Sequence, residues 1–293
     1  MHDDPTEHDD LHDRGLAFDL ATLRARASEP TRYERRGALK LLADAGAGLV
    51  LVACGSGGST ASTTTTAGAT STTAGGGTTT TGSSGASVDV IPEETGGPYP
   101  GDGSNGPNVL TESGVVREDI RSSFGAYSGT ADGVPLTIDL TVVVAATGAP
   151  LPGAAVYLWH CDRDGRYSLY SSGVTDQNYL RGVQEADADG RLRFTSIFPG
   201  AYSGRWPHIH FEVFADLDAA TSGGSPIVTS QLALPEDVCT AVYATDGYEQ
   251  SVSNLARTSL AGDMVFQDGY GDQLAAITGS TDAGMVASLT VGV

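Results

Sequence analysis

The stretch Arg205-Trp206-Pro207-His208-Ile209-His210-Phe211 runs into His208-Ile209-His210-Phe211-Glu212-Val213-Phe214, an apolar segment that reads as a β-strand. Side chains along a strand alternate between its faces, so residues two apart point the same way. His208 and His210 then share one face, while Ile209, Phe211 and Val213 share the other. Two neighbouring imidazoles make half of a metal site. A pair of hydrogen-bonded core histidines would look the same, so the rest of the chain has to decide.

The chain has 293 residues, 40% of them apolar and 18% charged, enough for a sizeable core. Its formal net charge of −20 argues against a nucleic-acid partner and against charge-driven binding to an anionic membrane, and suits solubility outside the cell. The sequence has no apolar run long enough for an ordinary transmembrane helix.

Residues 1–54 read as an address. His2, His8 and His12 are scattered among acids in the first part and read as a polar tail. Glu34-Arg35-Arg36-Gly37-Ala38-Leu39-Lys40 resembles a twin-arginine export motif. The modest apolar stretch that follows ends in Leu51-Val52-Ala53-Cys54-Gly55, which resembles a bacterial lipobox. Cys54 would then be lipidated, and two or more acyl chains would suffice for a stable anchor on the outer face of the cell membrane. Residues 55–87, almost all Gly, Ser, Thr and Ala, read as a disordered tether. That leaves 88–293 as one folded domain. With Cys54 lipidated, Cys161 and Cys239 form an even pair in an oxidising compartment, which suggests a disulfide; two free buried thiols are the alternative.

The domain reads as all-β. Leu136 to Val144 begins in strict alternation and ends as a buried run. Ala155 to His160, Arg191 to Ile197, Ile227 to Leu234 and Met285 to Val291 supply further strands between Gly/Pro turns. Hardly any helical periodicity intervenes, beyond a turn or two over 255–260. An immunoglobulin-like β-sandwich with long loops is the expected architecture.

Motifs follow one another in a specific order across this domain: Glu94-Thr95-Gly96-Gly97-Pro98-Tyr99, Pro152 to His160, Gly165-Arg166-Tyr167-Ser168, Pro199-Gly200-Ala201-Tyr202, the Arg205–Phe211 stretch and Thr229-Ser230-Gln231-Leu232. Together they resemble the intradiol ring-cleavage dioxygenases, the family of catechol 1,2-dioxygenase and protocatechuate 3,4-dioxygenase. The resemblance implies a non-haem Fe(III) held by Tyr167, Tyr202, His208 and His210. Phenolate oxygen suits a hard trivalent cation, whose charge lowers the phenol pKa; neutral imidazoles complete the set. It implies a catechol substrate, dioxygen and a cis,cis-muconate-type product, with Tyr202 taking a substrate proton. Arg205, three residues before His208, would stabilise carbanion character on the ring. Gln231 would be a polar neighbour of the substrate, Tyr99 and Pro98 would line its pocket, and His160 reads as structural.

The chain also departs from the family pattern. Five residues separate Tyr202 from His208, a shorter loop than in intracellular members, which implies a more open site. Nothing before residue 88 reads as the helical domain through which catechol dioxygenases dimerise, so a homodimer stays open. Two other readings compete: a non-enzymatic surface binding module on the same fold, and an Fe(II) site in which Glu212, on the same strand face, joins the two histidines.

Overall fold

The computed structural model describes residues 86–293. The twin-arginine and lipobox motifs with Cys54, and nearly all of the predicted tether, lie outside the described residues.

Two sheets face each other. The first is built on β1 (Pro135–Val144), whose Leu136, Ile138, Leu140 and Val142 are buried while Thr137, Asp139 and Thr141 are less so. This is the alternation of a half-buried strand. One edge of β1 pairs parallel with β9 (Gly284–Gly292), which pairs in turn with β8 (Ala276–Ser280). Its other edge carries β5 (Arg191–Ile197) and the short β2 (Ala149–Pro150). The second sheet has the order β4-β3-β6-β7 and is antiparallel throughout. Its strands are β3 (Ala155–Trp159), β4 (Arg181–Glu185), β6 (His208–Phe214) and β7 (Val228–Ala233). The expected sandwich is thus present, and its core lies between the sheets. Ile138 and Leu140 of β1, Phe194 of β5, Val156 and Leu158 of β3, Ile209, Phe211 and Val213 of β6 and Leu232 of β7 all belong to it. Each such side chain contributes roughly 1.5–3 kcal/mol by leaving water.

The second sheet is buried on its other face too. All seven residues of β6 are buried, and all six of β7. Loops from 86–110 and 160–180 cover that outer face, and Tyr99, Val109, Leu110 and Tyr167 pack there against Tyr157 and Trp159. The N-terminal segment crosses from one sheet to the other. Ile91 N donates to Gly292 O (2.9 Å) and Glu94 N to Thr229 O (2.7 Å). It then runs over the outer face as a strap.

Among the described residues, three short helices, α1 (Leu217–Thr221), α2 (Glu236–Tyr243) and α3 (Glu249–Leu255), add more helix than the sequence suggested. Helices this short draw their stability from tertiary packing rather than from their own period; Cys239, Val242 and Tyr243 of α2 enter the core. The turn expected over 255–260 is the frayed exit of α3, followed by a 3₁₀ turn at Leu260–Gly262.

The disulfide expectation is corrected: Cys161 and Cys239 are both free and buried. Cys161 lies in the outer-face cluster, where its thiol donates to Gly200 O (3.3 Å). Cys239 lies in the core between the sheets. Burial pushes both thiols upward, so neither is a ready nucleophile.

Candidate metal centre

The four residues expected to hold a metal come from three elements and meet on the outer face of the second sheet. Tyr167 sits in the β3–β4 loop. Asp162 shapes the start of that loop, accepting from the backbone N–H of Asp164 (3.0 Å) and Arg166 (2.9 Å). Gly165, at φ +80°, completes the turn where a Cβ would lie 3.2 Å from the Tyr202 Cβ, so the two tyrosine loops lie directly against each other. Tyr202 lies midway along the loop between β5 and β6. His208 and His210 point outward from β6, as the strand period requires.

The side chains converge. The Nε2 atoms of His208 and His210 are 3.0 Å apart, and the Tyr202 hydroxyl donates to His208 Nε2 at 3.3 Å. The Tyr167 ring meets Tyr202 edge-on with centroids 5.7 Å apart and His210 at 6.2 Å. Exposure is 1% for Tyr167, 8% for Tyr202 and 2% for each histidine. The open site expected from the short loop is therefore not what the ligand set shows, because the strap and the 160–180 loop cover it. A groove of about 920 Å³ elsewhere lies over β1, β5 and β9 and includes none of these four side chains. The chemistry belongs to the buried cluster, where the polar donors converge.

The electrostatics suit a cation. His208 Nδ1 donates to the Trp206 carbonyl at 2.5 Å, which leaves Nε2 as the lone-pair nitrogen. Burial, with Arg205 adding to it, holds His208 below its usual range; burial, the neighbouring His208 and Arg205 do the same for His210. Both are neutral and able to ligate at pH 7. Burial, followed by the proximity of Tyr202, pushes the Tyr167 phenol well above its usual value. Without a nearby positive charge that phenol stays protonated. Its Oη is nevertheless buried with no hydrogen-bond partner, as is His210 Nδ1. A buried hydroxyl left unsatisfied costs about 1–3 kcal/mol. A cation against Tyr167 Oη, Tyr202 Oη and the two Nε2 atoms would satisfy the orphan and favour the phenolate. The 3.0 Å between the nitrogens is about the spacing of two adjacent ligands each ~2.1 Å from one ion. The residues present therefore fit a hard, highly charged metal ion.

Arg205 and Gln231 are brought together beside this cluster. The Arg205 guanidinium donates to Gln231 Oε1 (2.7 Å), and Gln231 Nε2 donates to Thr95 O (2.8 Å) on the strap. The Tyr99 ring stacks on Tyr167 at 4.8 Å. Pro98 is buried next to Tyr99, and its carbonyl accepts from Asn105 Nδ2. His160 bridges the Cys161 carbonyl (2.7 Å) and Ser196 Oγ (2.7 Å), a structural arrangement. Cys54, the expected lipidation site, lies outside the described residues. Glu212 shares the histidine face and accepts from Thr229 Oγ1 (3.1 Å). Among the described residues, no three His, Cys, Asp or Glu side chains form a metal-binding group, so the two-histidine–carboxylate alternative is not assembled.

Sequence reasoning missed Asp263. Its carboxylate accepts from Arg205 Nε (3.0 Å), the Trp206 backbone N–H (2.7 Å) and the Val265 N–H (2.9 Å). Arg205 and Asp263 are 1% and 0% exposed. No local pattern marks this aspartate; only packing shows it. Trp159, stacked on His210 at 4.9 Å and 4°, was likewise read only as a strand residue.

Fold and site together define a β-sandwich with a buried two-tyrosine, two-histidine centre. A family model described as Dioxygenase matches residues 106–237. Protocatechuate 3,4-dioxygenase beta chain of Burkholderia cepacia is 31% identical over 174 residues, covering 50% of this chain and 70% of that protein. Chlorocatechol 1,2-dioxygenase of Rhodococcus opacus is 32% identical over 120 residues, covering 33% of this chain and 44% of that protein. The chain thus spans less than half the length of this second relative. A solved intradiol ring-cleavage dioxygenase from Tetranychus urticae aligns with a TM-score of 0.56 at 25% identity, covering 70% of this chain and 94% of that one. The chain belongs to the intradiol ring-cleavage dioxygenase family.

Proposed function

We propose that this protein catalyses intradiol cleavage of catechol-type diols by dioxygen, giving cis,cis-muconate-type dicarboxylates, with Fe(III) as its resident metal. The observation that carries this is the convergence of Tyr167, Tyr202, His208 and His210 around a buried, unpartnered phenol oxygen. Fe(III), when bound there, supplies the positive charge that keeps phenols ionised and the electron-withdrawing character that makes a bound diol reactive toward dioxygen.

The chain's own residues divide the remaining work. Tyr167, at 1% exposure and stacked on Tyr99, is the fixed ligand. Tyr202 is the more exposed phenol and touches His208, so its Oη is the group that accepts a proton from an incoming diol. Arg205, immobilised by Asp263 and Gln231, presents a fixed positive charge to negative charge developing on the ring. The covering strap and loop keep water from the site and so strengthen each of these interactions.

The test is a visible absorption spectrum of the purified protein before and after anaerobic addition of catechol. A tyrosinate-to-Fe(III) band that shifts on catechol addition, with ring-opened product appearing once air is admitted, is the expected result. A protein that stays colourless and iron-free after reconstitution with ferric iron would sink the proposal. It would leave a surface binding module as the better reading.

The setting is also part of the proposal: an extracytoplasmic enzyme held at the membrane by lipid on Cys54. Support comes from the order of Arg35-Arg36, the apolar stretch and Leu51-Val52-Ala53-Cys54. Labelled palmitate should enter the wild-type chain and not Cys54→Ser; equal labelling would refute the anchor.

A further inference from the structure

We propose that Arg181 is a positioning residue for Tyr167, holding the backbone beside that tyrosine and the aromatic ring stacked on it through a single buried guanidinium. The inference rests on the reading of Tyr167 as a metal ligand and goes beyond it.

Arg181 is 1% exposed. A guanidinium has five N–H donors, and all of them are used. Nε donates to Ser168 Oγ (3.0 Å), and one Nη donates to Pro100 O (2.7 Å) and Tyr157 Oη (3.1 Å). The other donates to Tyr99 O (2.9 Å) and Ser168 O (3.0 Å). Every acceptor is a neutral oxygen. Arg205, the other fully buried arginine among the described residues, is instead neutralised by Asp263. Leaving a buried cation without an acid is costly, so the five hydrogen bonds must compensate, and their targets show what they organise.

Two of those targets adjoin Tyr167, one along the chain and one through its ring. Ser168 is the next residue along the chain and is held through side chain and carbonyl alike. Tyr99 supplies the ring stacked on Tyr167 at 4.8 Å. Tyr167 Oη has no hydrogen-bond partner of its own, so no bond from the phenol itself aims it. Its aim comes from its backbone, its stacking partner and the edge of Tyr202. Arg181 controls the first two.

The local backbone agrees. Leu169 follows Ser168 with φ +75°, and Leu180 precedes Arg181 with φ +56°. A branched residue takes this left-handed conformation only when its surroundings impose it. Both therefore flank the same contact. The strap is pressed equally close: a Cβ on Gly101 (φ +68°) would lie 2.8 Å from an Arg181 Nη. Gly101 N also donates to Tyr170 Oη (2.9 Å).

The test compares Arg181→Gln, Arg181→Lys and a control, Ile138→Ala, which opens a cavity in β1 of the opposite sheet. Two experiments on the full chain give three readings. One is backbone amide exchange in metal-free protein at Gly101, Tyr170 and Ser171. The other is the ferric-tyrosinate band of iron-loaded protein, together with its rate of iron loss to a chelator. Arg181→Gln is expected to speed exchange at those amides at least tenfold, shift the band and speed iron loss at least tenfold. Arg181→Lys, with three donors, should change each in the same direction by less. Ile138→Ala, matched in melting temperature, should leave all three as in wild type.

If Arg181→Gln behaves like Ile138→Ala, the proposal is overturned. Faster exchange with an unmoved band also overturns it, since Arg181 would then only clamp loops. If Arg181→Gln does not fold, Arg181→Lys decides, and a band and exchange pattern unchanged from wild type overturn the proposal. The exchange measurement needs no iron. A wild-type protein that binds none would therefore refute the dioxygenase reading while the exchange result still tests whether Arg181 holds the loop.

Discussion

Removing the Asp263 carboxylate should separate stability from catalysis in this protein. The carboxylate receives Arg205 Nε at 3.0 Å, a second Arg205 nitrogen at 3.4 Å, the Trp206 N–H at 2.7 Å and the Val265 N–H at 2.9 Å. With Asp263→Ala, a guanidinium at 1% exposure loses its counter-charge and two backbone N–H groups lose their acceptor. Breaking a buried ion pair from one side costs about 3–5 kcal/mol. At ~2–4 °C per kcal/mol for a domain of this size, the melting temperature should fall by roughly 6–20 °C. Burial raises the Asp263 carboxyl, but Arg205 and the hydrogen bonds outweigh it and hold it below its usual 3.8. A group depressed on folding stabilises the native state above its unfolded pKa, and that stability is lost as pH falls through the folded value. The deficit of Asp263→Ala should accordingly be full at neutral pH and shrink only below about pH 4. Activity should fall about 10²-fold, since Arg205 and the Trp206–His208 backbone lose their common anchor. The double variant Arg205→Met/Asp263→Leu removes both charges together and should recover most of the stability with none of the activity. Chemical denaturation and ring-cleavage rates would check this. A loss under about 1 kcal/mol for Asp263→Ala, or a double variant no more stable than the single, would refute the reasoning.

Tyr167→Phe deletes a buried hydroxyl that has no partner, so metal-free protein should keep its stability or gain about 1 kcal/mol, while the iron-loaded visible band should weaken and shift, Tyr202 being left as its one phenolate; denaturation of the metal-free form alongside a spectrum of the loaded form tests both halves. Glu94, pushed up to about 7 by burial and by Asp268, is protonated more readily folded than unfolded. Its contribution is fully present below about pH 4.5 and lost as pH rises through 7. Because the group is partly exposed, the effect is on the order of 1–2 kcal/mol; Glu94→Gln should flatten that slope and be the more stable protein at pH 8, and parallel pH–stability curves would count against it. Gly101→Ala would put a Cβ 2.8 Å from an Arg181 nitrogen at φ +68°, so it should cost about 1–3 kcal/mol and loosen the strap, seen as faster proteolysis near residue 101.

Much of the fold could be read locally. The alternation of Leu136, Ile138 and Leu140 with Thr137, Asp139 and Thr141 is a property of one strand with one face in the core, and it marked β1 before any partner was known. The bounds of β5 and β6 were legible for the same reason. β4 was not, because Arg181-Gly182-Val183-Gln184-Glu185 has no alternating pattern and is a strand only through its pairing with β3. The short helices likewise depend on burying Cys239, Val242 and Tyr243 rather than on their own sequence.

The site divides in the same way. The order of Tyr167, Tyr202, His208 and His210 is written in the chain, since the strand period puts both imidazoles on one face and the motifs place each tyrosine after a strand. Distances between separated segments are not written there. Arg205 and Asp263 are 58 positions apart, and the sequence between them contains no signal of their pairing; the even count of Cys161 and Cys239 suggested a bond that the fold does not make. Local sequence determined which residues could bind a metal, because periodicity and residue chemistry act over a few positions. Only the tertiary structure decided which charges meet, which thiols stay apart and which phenol is left without a partner, because those outcomes depend on how two sheets and their covering loops share one buried volume.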